Sequence, residues 1–210
     1  MNIKNEIKEA LVENKRIFEI LTVLFIIGFI IGCIFADDIA SYLMPILKQA
    51  MGVEGGASSI NAWDIMIHNE STAVMVFFGS IIFGIYAIIS IFTNGFTIGF
   101  MAGYTVKSIP SLAIFLALIV PHGILEIPAF FCSDIAGILL FLFIFRVIRD
   151  KINKNTLKEG YENNKKTLKH AIVLLLLAIV LFAIAALIEG FITPHIGNIV
   201  SQQISGTKLF

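Results

Sequence analysis

The chain is 210 residues long, 58% hydrophobic and only 14% charged. That is more apolar surface than one soluble core of this length can hide, so lipid must take up the remainder. Fifteen basic and fifteen acidic residues cancel, which gives no footing for a nucleic-acid partner, but their distribution along the chain is uneven and sets orientation.

The first sixteen residues alternate charged and apolar side chains (Lys4, Glu6, Lys8, Glu9, Glu13, Lys15, Arg16). The apolar run from Ile17 to Ala36 is too long for a signal-peptide core and ends at Asp37-Asp38 without a small-residue cleavage pattern, so it reads as a first membrane span. Cys33 within it, like Cys132 further on, behaves as a small hydrophobe with no disulfide or metal spacing. In the loop that follows, Ile39, Tyr42, Leu43, Ile46, Leu47 and Ala50 recur at helical spacing opposite Lys48 and Gln49, which predicts an interfacial helix. Gly52 to Ser59 reads as a flexible turn, and a short helical run containing Trp63 follows at headgroup level.

Spans of about 20 apolar residues are expected at Thr72 to Phe92, Ile124 to Phe145 and Ala171 to Ile188. Between the first two of these, Gly95 to Val120 is apolar but interrupted by Lys107, Ser108, Pro110 and Ser111, so a span broken near Pro110 is expected, inside the bundle or near its outer rim and not against lipid. Asn94-Gly95 reads as a turn ahead of it. The tail repeats an amphipathic pattern through Ile196, Ile199, Val200 and Ile204.

The fold expected is therefore an all-α integral membrane protein, one polytopic domain of about five transmembrane helices with an interfacial helix in the external loop. Short loops rich in Lys and Arg stay in the cytoplasm. Four basic residues precede the first span and eight lie between Arg146 and Lys169, so the N-terminus is placed inside and the C-terminus outside the cell membrane. The basic linker can also attract anionic headgroups.

Small residues recur every four positions at Gly28 and Gly32, at Gly95, Gly99 and Gly103, and at Ala129, Ser133 and Gly137. Such stripes let helix backbones approach closely, either within the bundle or across a homodimer seam. Ionisable groups in apolar runs are costly and pair or line cavities. His122, Glu126, Asp134 and Glu189 are of this kind, with His68 near an entry point. His122 and Glu126 share a helix face at i and i+4, and the topology brings Glu189 to the same end. Imidazole and two carboxylates can lock helix ends as a hydrogen-bonded cluster, or hold a divalent metal such as zinc or iron; with the deeper Asp134 they can form an ion pathway.

Three stretches, His68 to Gly99, Pro121 to Gly137 (PHGILEIPAFFCSDIAG) and Ala185 to Pro194 (AALIEGFITP), together resemble the stage II sporulation protein M family. The resemblance implies a polytopic membrane protein without established enzymatic activity or cofactor. Its namesake serves in engulfment as a scaffold beside two peptidoglycan hydrolases, stage II sporulation proteins D and P, and relatives occur in archaea. By motif match, Asn94, Gly95, His122, Gly123, Glu126, Pro128 and Glu189 are its signature residues. The function expected is a non-enzymatic scaffold organising envelope protein partners. The alternatives are a membrane-embedded metal-dependent hydrolase using His122, Glu126 and Glu189, or a small transporter.

Overall fold

A computed structural model describes residues 3–50, 61–153 and 156–205, and the regular structure within them is helical. The order is α1 (Ile3–Glu13), α2 (Lys15–Ile34), α3 (Ala36–Ala50), α4 (Ala62–Gly79), α5 (Ile85–Thr105), α6 (Ile109–Ile152), α7 (Leu157–Leu187), a π-helical turn (Ile188–Ile192) and α8 (Thr193–Ser205). Among the described residues, four stretches are long and apolar enough to cross a bilayer: Lys15–Ile34, Ile85–Thr105, Ile109–Ile152 and Leu157–Ile204. The protein is thus an all-helical membrane protein, and α4 lies among these four as a further long helix of the bundle.

The helix boundaries differ from those the apolar runs suggest. The run from Thr72 to Phe92 is divided: α4 ends at Gly79 and α5 begins at Ile85. Between them Phe83 and Gly84 take positive φ values of 56° and 68°, which reverse the chain in a tight turn. Hydropathy is blind to this because the turn itself is apolar. The next break falls at Val106 to Ser108, so the expected broken span is shared between the end of α5 and the start of α6. Pro110 begins a helix here instead of kinking one, since a proline in the first turn has no bond to lose. Ser108 and Ser111 close a reciprocal cap around that start. From there α6 runs unbroken through Pro121 and Pro128. Asn94-Gly95 is accordingly mid-helix in α5, not a turn. The helix expected after Asp37 is present as α3, and the Gly52 to Ser59 turn lies outside the described residues.

Two close-packed units make the bundle. In the first, α2 and α5 run parallel with their glycines against each other's backbone: Gly28 and Gly32 face Phe92 and Phe96, while Gly95, Gly99 and Gly103 face Phe25, Phe29 and Cys33. Without lipid exclusion as a driving force, such contact is what holds membrane helices together. Cys33 donates from Sγ to the Gly99 carbonyl at 3.1 Å, and Lys107 pairs with Asp37 at 2.9 Å across the ends. Because α2 and α5 point the same way, the chain must return between them, and α4 supplies the return.

In the second unit α6 and α7 form a long antiparallel hairpin, with Phe130 against Phe182, Arg146 bonded to Thr167 and Asp150 to Asn164. α4 lies in its groove parallel to α6, where Ser80 packs on Gly137. At 1.5 Å per residue α6 is roughly 66 Å long, about twice a hydrocarbon core, so it overhangs the bilayer. Its Arg146–Ile152 end packs on the start of α7, and α1 docks on α7 at that same end. There Lys169 pairs with Glu6 at 2.6 Å, and Lys166 with Glu9 at 2.6 Å and Glu13 at 2.7 Å.

Two outcomes follow from this packing. A Cβ on Gly99 would run into the Phe29 carbonyl, whereas one on Gly123 meets only Ile119 Cγ2 at 3.6 Å. Gly99→Val should therefore destabilise the folded chain by about 1–3 kcal/mol, and Gly123→Ala should be tolerated, as read by thermal unfolding in detergent. The second concerns α1. The Lys166 ammonium bonded to Glu9 holds that carboxyl below its ordinary value of 4.5. The contribution of a depressed carboxyl is complete above the unfolded-state value and is lost as pH falls through the folded one. Protection of α1 amides against hydrogen exchange, corrected for intrinsic rates, should fall below about pH 4.5 and should fall at neutral pH in Lys166→Met.

Candidate functional site

The site is assembled where α6 passes α4 and the π-helical turn. On α6, His122 and Glu126 lie between Pro121 and Pro128, one turn apart, with His122 Nε2 3.7 Å from Glu126 Oε2. The two prolines remove the donors that would bond the carbonyls of Ala117 and Ile124, so this segment is less tightly tied than an ordinary helix. Glu189 comes from the turn after α7. There the Thr193 amide bonds the Ile188 carbonyl five residues back, because Pro194 cannot continue the usual register. Gly190 lets this turn approach the start of α4, where a side chain would press on Ala62 Cα at 2.9 Å.

One donor atom from each of His122, Glu126 and Glu189 lies within 4.8 Å of the others. The three signature residues expected to converge at one end therefore do so. Two further side chains hold them. Asn69 on α4 donates from Nδ2 to Glu126 Oε1 at 3.1 Å, and Thr193 Oγ1 lies 3.3 Å from His122 Nδ1. Asn69 and His122 are each 7% exposed. A cleft of about 310 Å³ opens beside the cluster, with Ile114, Phe115, Leu118 and Ile119 along its wall and His122, Glu189 and Thr193 at its polar end.

Of the remaining candidates, Asp134 is fully buried two turns along α6 beside Ser90 of α5, with no hydrogen bond of ordinary geometry to either oxygen. Asn94, one turn from Ser90, reaches its hydroxyl at 3.4 Å. His68 does not join the cluster: it is exposed, and its carbonyl serves Ser71 and Thr72 of its own helix. Gly123 and Pro128 shape α6 around the donors and contribute no polar side chain.

Sequence reasoning missed Asn69 and Thr193. Asn69, Ala73, Val76 and Ser80 form a small and polar stripe along one face of α4, all buried, and that stripe was the available signal. The small-residue stripes themselves are taken up within the chain, Gly28 and Gly32 against α5 and Gly137 against Ser80.

A polytopic helical membrane protein with a His-Glu-Glu cluster between its helices is thus the class that fold and site define. The stage II sporulation protein M family profile matches residues 21–194, from within α2 through the π-helical turn, and takes in every member of the cluster. The chain belongs to the stage II sporulation protein M family. Two uncharacterised proteins of Methanocaldococcus jannaschii are similar to it. One is 32% identical over 183 residues, 83% of this chain and 92% of the relative. The other is 28% identical over 204 residues, 92% of this chain and 89% of the relative. No solved structure matches the chain. Neither the family's description nor those of the relatives names an enzymatic activity, so the hydrolase and transporter alternatives rest on the polar groups alone.

Asn69→Leu removes the donor to a partly enclosed carboxylate oxygen without leaving a cavity. It should cost about 1–3 kcal/mol, measured by thermal or denaturant unfolding in detergent, and the loss should shrink when Glu126→Gln is already present.

Proposed function

We propose that the protein is a non-enzymatic scaffold of the cell membrane, whose bundle presents α3 to envelope protein partners. The supporting observation is the contrast between α3 and the rest. The bundle is tied by backbone contact and buried polar bonds, while α3, among the described residues, packs only on α2 and α5. It carries Tyr42 and Ile46 at 78% and 61% exposure. A fixed platform with one projecting helix suits the holding of another protein. In this reading α1 and the basic Arg146 to Lys169 region lie in the cytoplasm, following the rule for basic loops. α3, the cleft and α8 then face the other side.

A photo-crosslinking side chain placed at Tyr42 or Ile46 in native membranes tests this. The expected result is a discrete protein adduct that persists in Glu126→Gln. Adducts with lipid alone overturn the scaffold reading. Adducts solely with a second copy of this chain overturn it in favour of a homodimer.

A further inference from the structure

We infer that His122, Glu126 and Glu189 form a divalent transition-metal site, of the kind that takes zinc, at the polar end of the cleft between α6 and the π-helical turn. This goes beyond the scaffold reading, and its failure would leave that reading standing.

The donor set is the first support. A neutral imidazole and two carboxylates are hard-to-borderline ligands suited to zinc or iron. In a tetrahedral site with bonds of about 2.0–2.1 Å, neighbouring donors stand roughly 3.4 Å apart. His122 Nε2 and Glu126 Oε2 stand 3.7 Å apart, and a Glu189 carboxylate oxygen lies within 4.8 Å of one donor atom on each of His122 and Glu126. A small rotation of the Glu189 side chain, which sits on a turn instead of a locked α-helix, closes the set.

The second support is orientation from outside the donor set. Histidine ligands use their other ring nitrogen for a hydrogen bond, and ligating carboxylates are held by a neighbour. Both features are present. Thr193 engages His122 Nδ1 and leaves Nε2 turned to the carboxylates, while Asn69 holds Glu126 Oε1 and leaves Oε2 turned to the imidazole. The third is charge. Two carboxylates facing one another away from bulk water repel strongly unless a cation or a proton stands between them. No Lys or Arg side chain pairs with either among the described residues.

A second cluster supplies the contrast. Glu9, Glu13 and His170 also place donors within 4.8 Å of one another, but Lys166 Nζ already stands 2.6 Å and 2.7 Å from the two carboxylates. That cluster has its cation in the chain itself. The fourth position of the His122 site opens on the apolar cleft, so a water or the polar end of a lipid-like molecule can complete it.

The test uses the full chain in nanodiscs, loaded with zinc or cobalt, passed through a desalting column and assayed for bound metal by mass spectrometry. Stoichiometric metal, with cobalt ligand-field absorption in the visible, is expected for the unaltered chain and for the double variant Glu9→Gln, Glu13→Gln. His122→Asn and Glu189→Gln should lose it. Thr193→Val leaves the donors in place and should weaken affinity about 10–100-fold, which keeps the test informative should a ligand variant misfold. Retention of the metal by His122→Asn overturns the site. So does an unaltered chain that retains none, since the carboxylates then share a proton.

Discussion

A carboxylate placed among membrane helices must find its partners within the protein, because lipid offers none. Glu126 meets that constraint by drawing on two other segments: Asn69 of α4 takes one oxygen, and the other faces His122 with Glu189 of the π-helical turn close by. The rest of the second unit is arranged around this demand. α4 must lie parallel to α6 for Asn69 to reach Glu126, and α7 must end in a widened turn for Glu189 and Thr193 to arrive at the level of His122. Four consecutive features of the motif, Pro121, His122, Glu126 and Pro128, thus belong to one local problem. A helix that carries polar groups toward two neighbours gains from carbonyls freed by proline, since these leave the segment able to adjust.

The first unit is held by a different force. Between α2 and α5 there is scarcely any side chain in the way, and the helices touch backbone to backbone through five glycines. Dispersion at that range is short and steep, so it fixes separation and register but offers no chemistry. The two units meet where Phe18 and Phe25 of α2 flank Phe131 of α6, and where Asp134 lies beside Ser90 of α5. Such a division places a stiff pair beside a polar trio. Asn94, one turn from Ser90, bonds its hydroxyl from within α5. The Asp134 carboxyl is fully enclosed at the seam between the two units, with Ser90 as its polar neighbour.

Much of this was legible in the sequence, for reasons that differ by element. The helical class, the first span and the last followed from apolar length alone, since a stretch such as Ala171 to Ile188 has no other stable fate. The convergence of His122, Glu126 and Glu189 followed from i, i+4 spacing together with a count of crossings. What hydropathy could not show was where apolar chain turns. Phe83-Gly84 reverses direction with no polar residue to mark it, so hydropathy does not separate α4 from α5, and Asn94-Gly95 carries a turn signature in the middle of a helix. Pro110 misled in the opposite way, because the same residue that breaks a helix from within begins one from its first turn. Asn69 was hidden by its neighbours: in His68-Asn69-Glu70 only the middle residue faces the bundle, and a run of three polar residues reads as a solvated end.

The overhang of α6 ties the two ends of the molecule together. At roughly 66 Å it is one continuous helix from the Ser108 cap to the basic residues beyond Arg146, carrying the His-Glu pair toward one end and packing at the other on the part of α7 that holds α1. α7 runs beside it for most of that length, so the hairpin can shift only as a body. Any change that alters the separation of α6 and the π-helical turn, such as an ion drawing Glu189 toward His122, must be absorbed in the proline-loosened segment or be passed along the helix. The salt bridges of Glu6, Glu9 and Glu13 to Lys166 and Lys169 lie at the far end, on α7 instead of α6. They would register a sliding of the hairpin relative to α2, since α1 continues directly into α2 through Asn14. The loosened segment carries His122 and Glu126 between Pro121 and Pro128, so a small adjustment at the donors meets fewer backbone hydrogen bonds there than elsewhere along the helix.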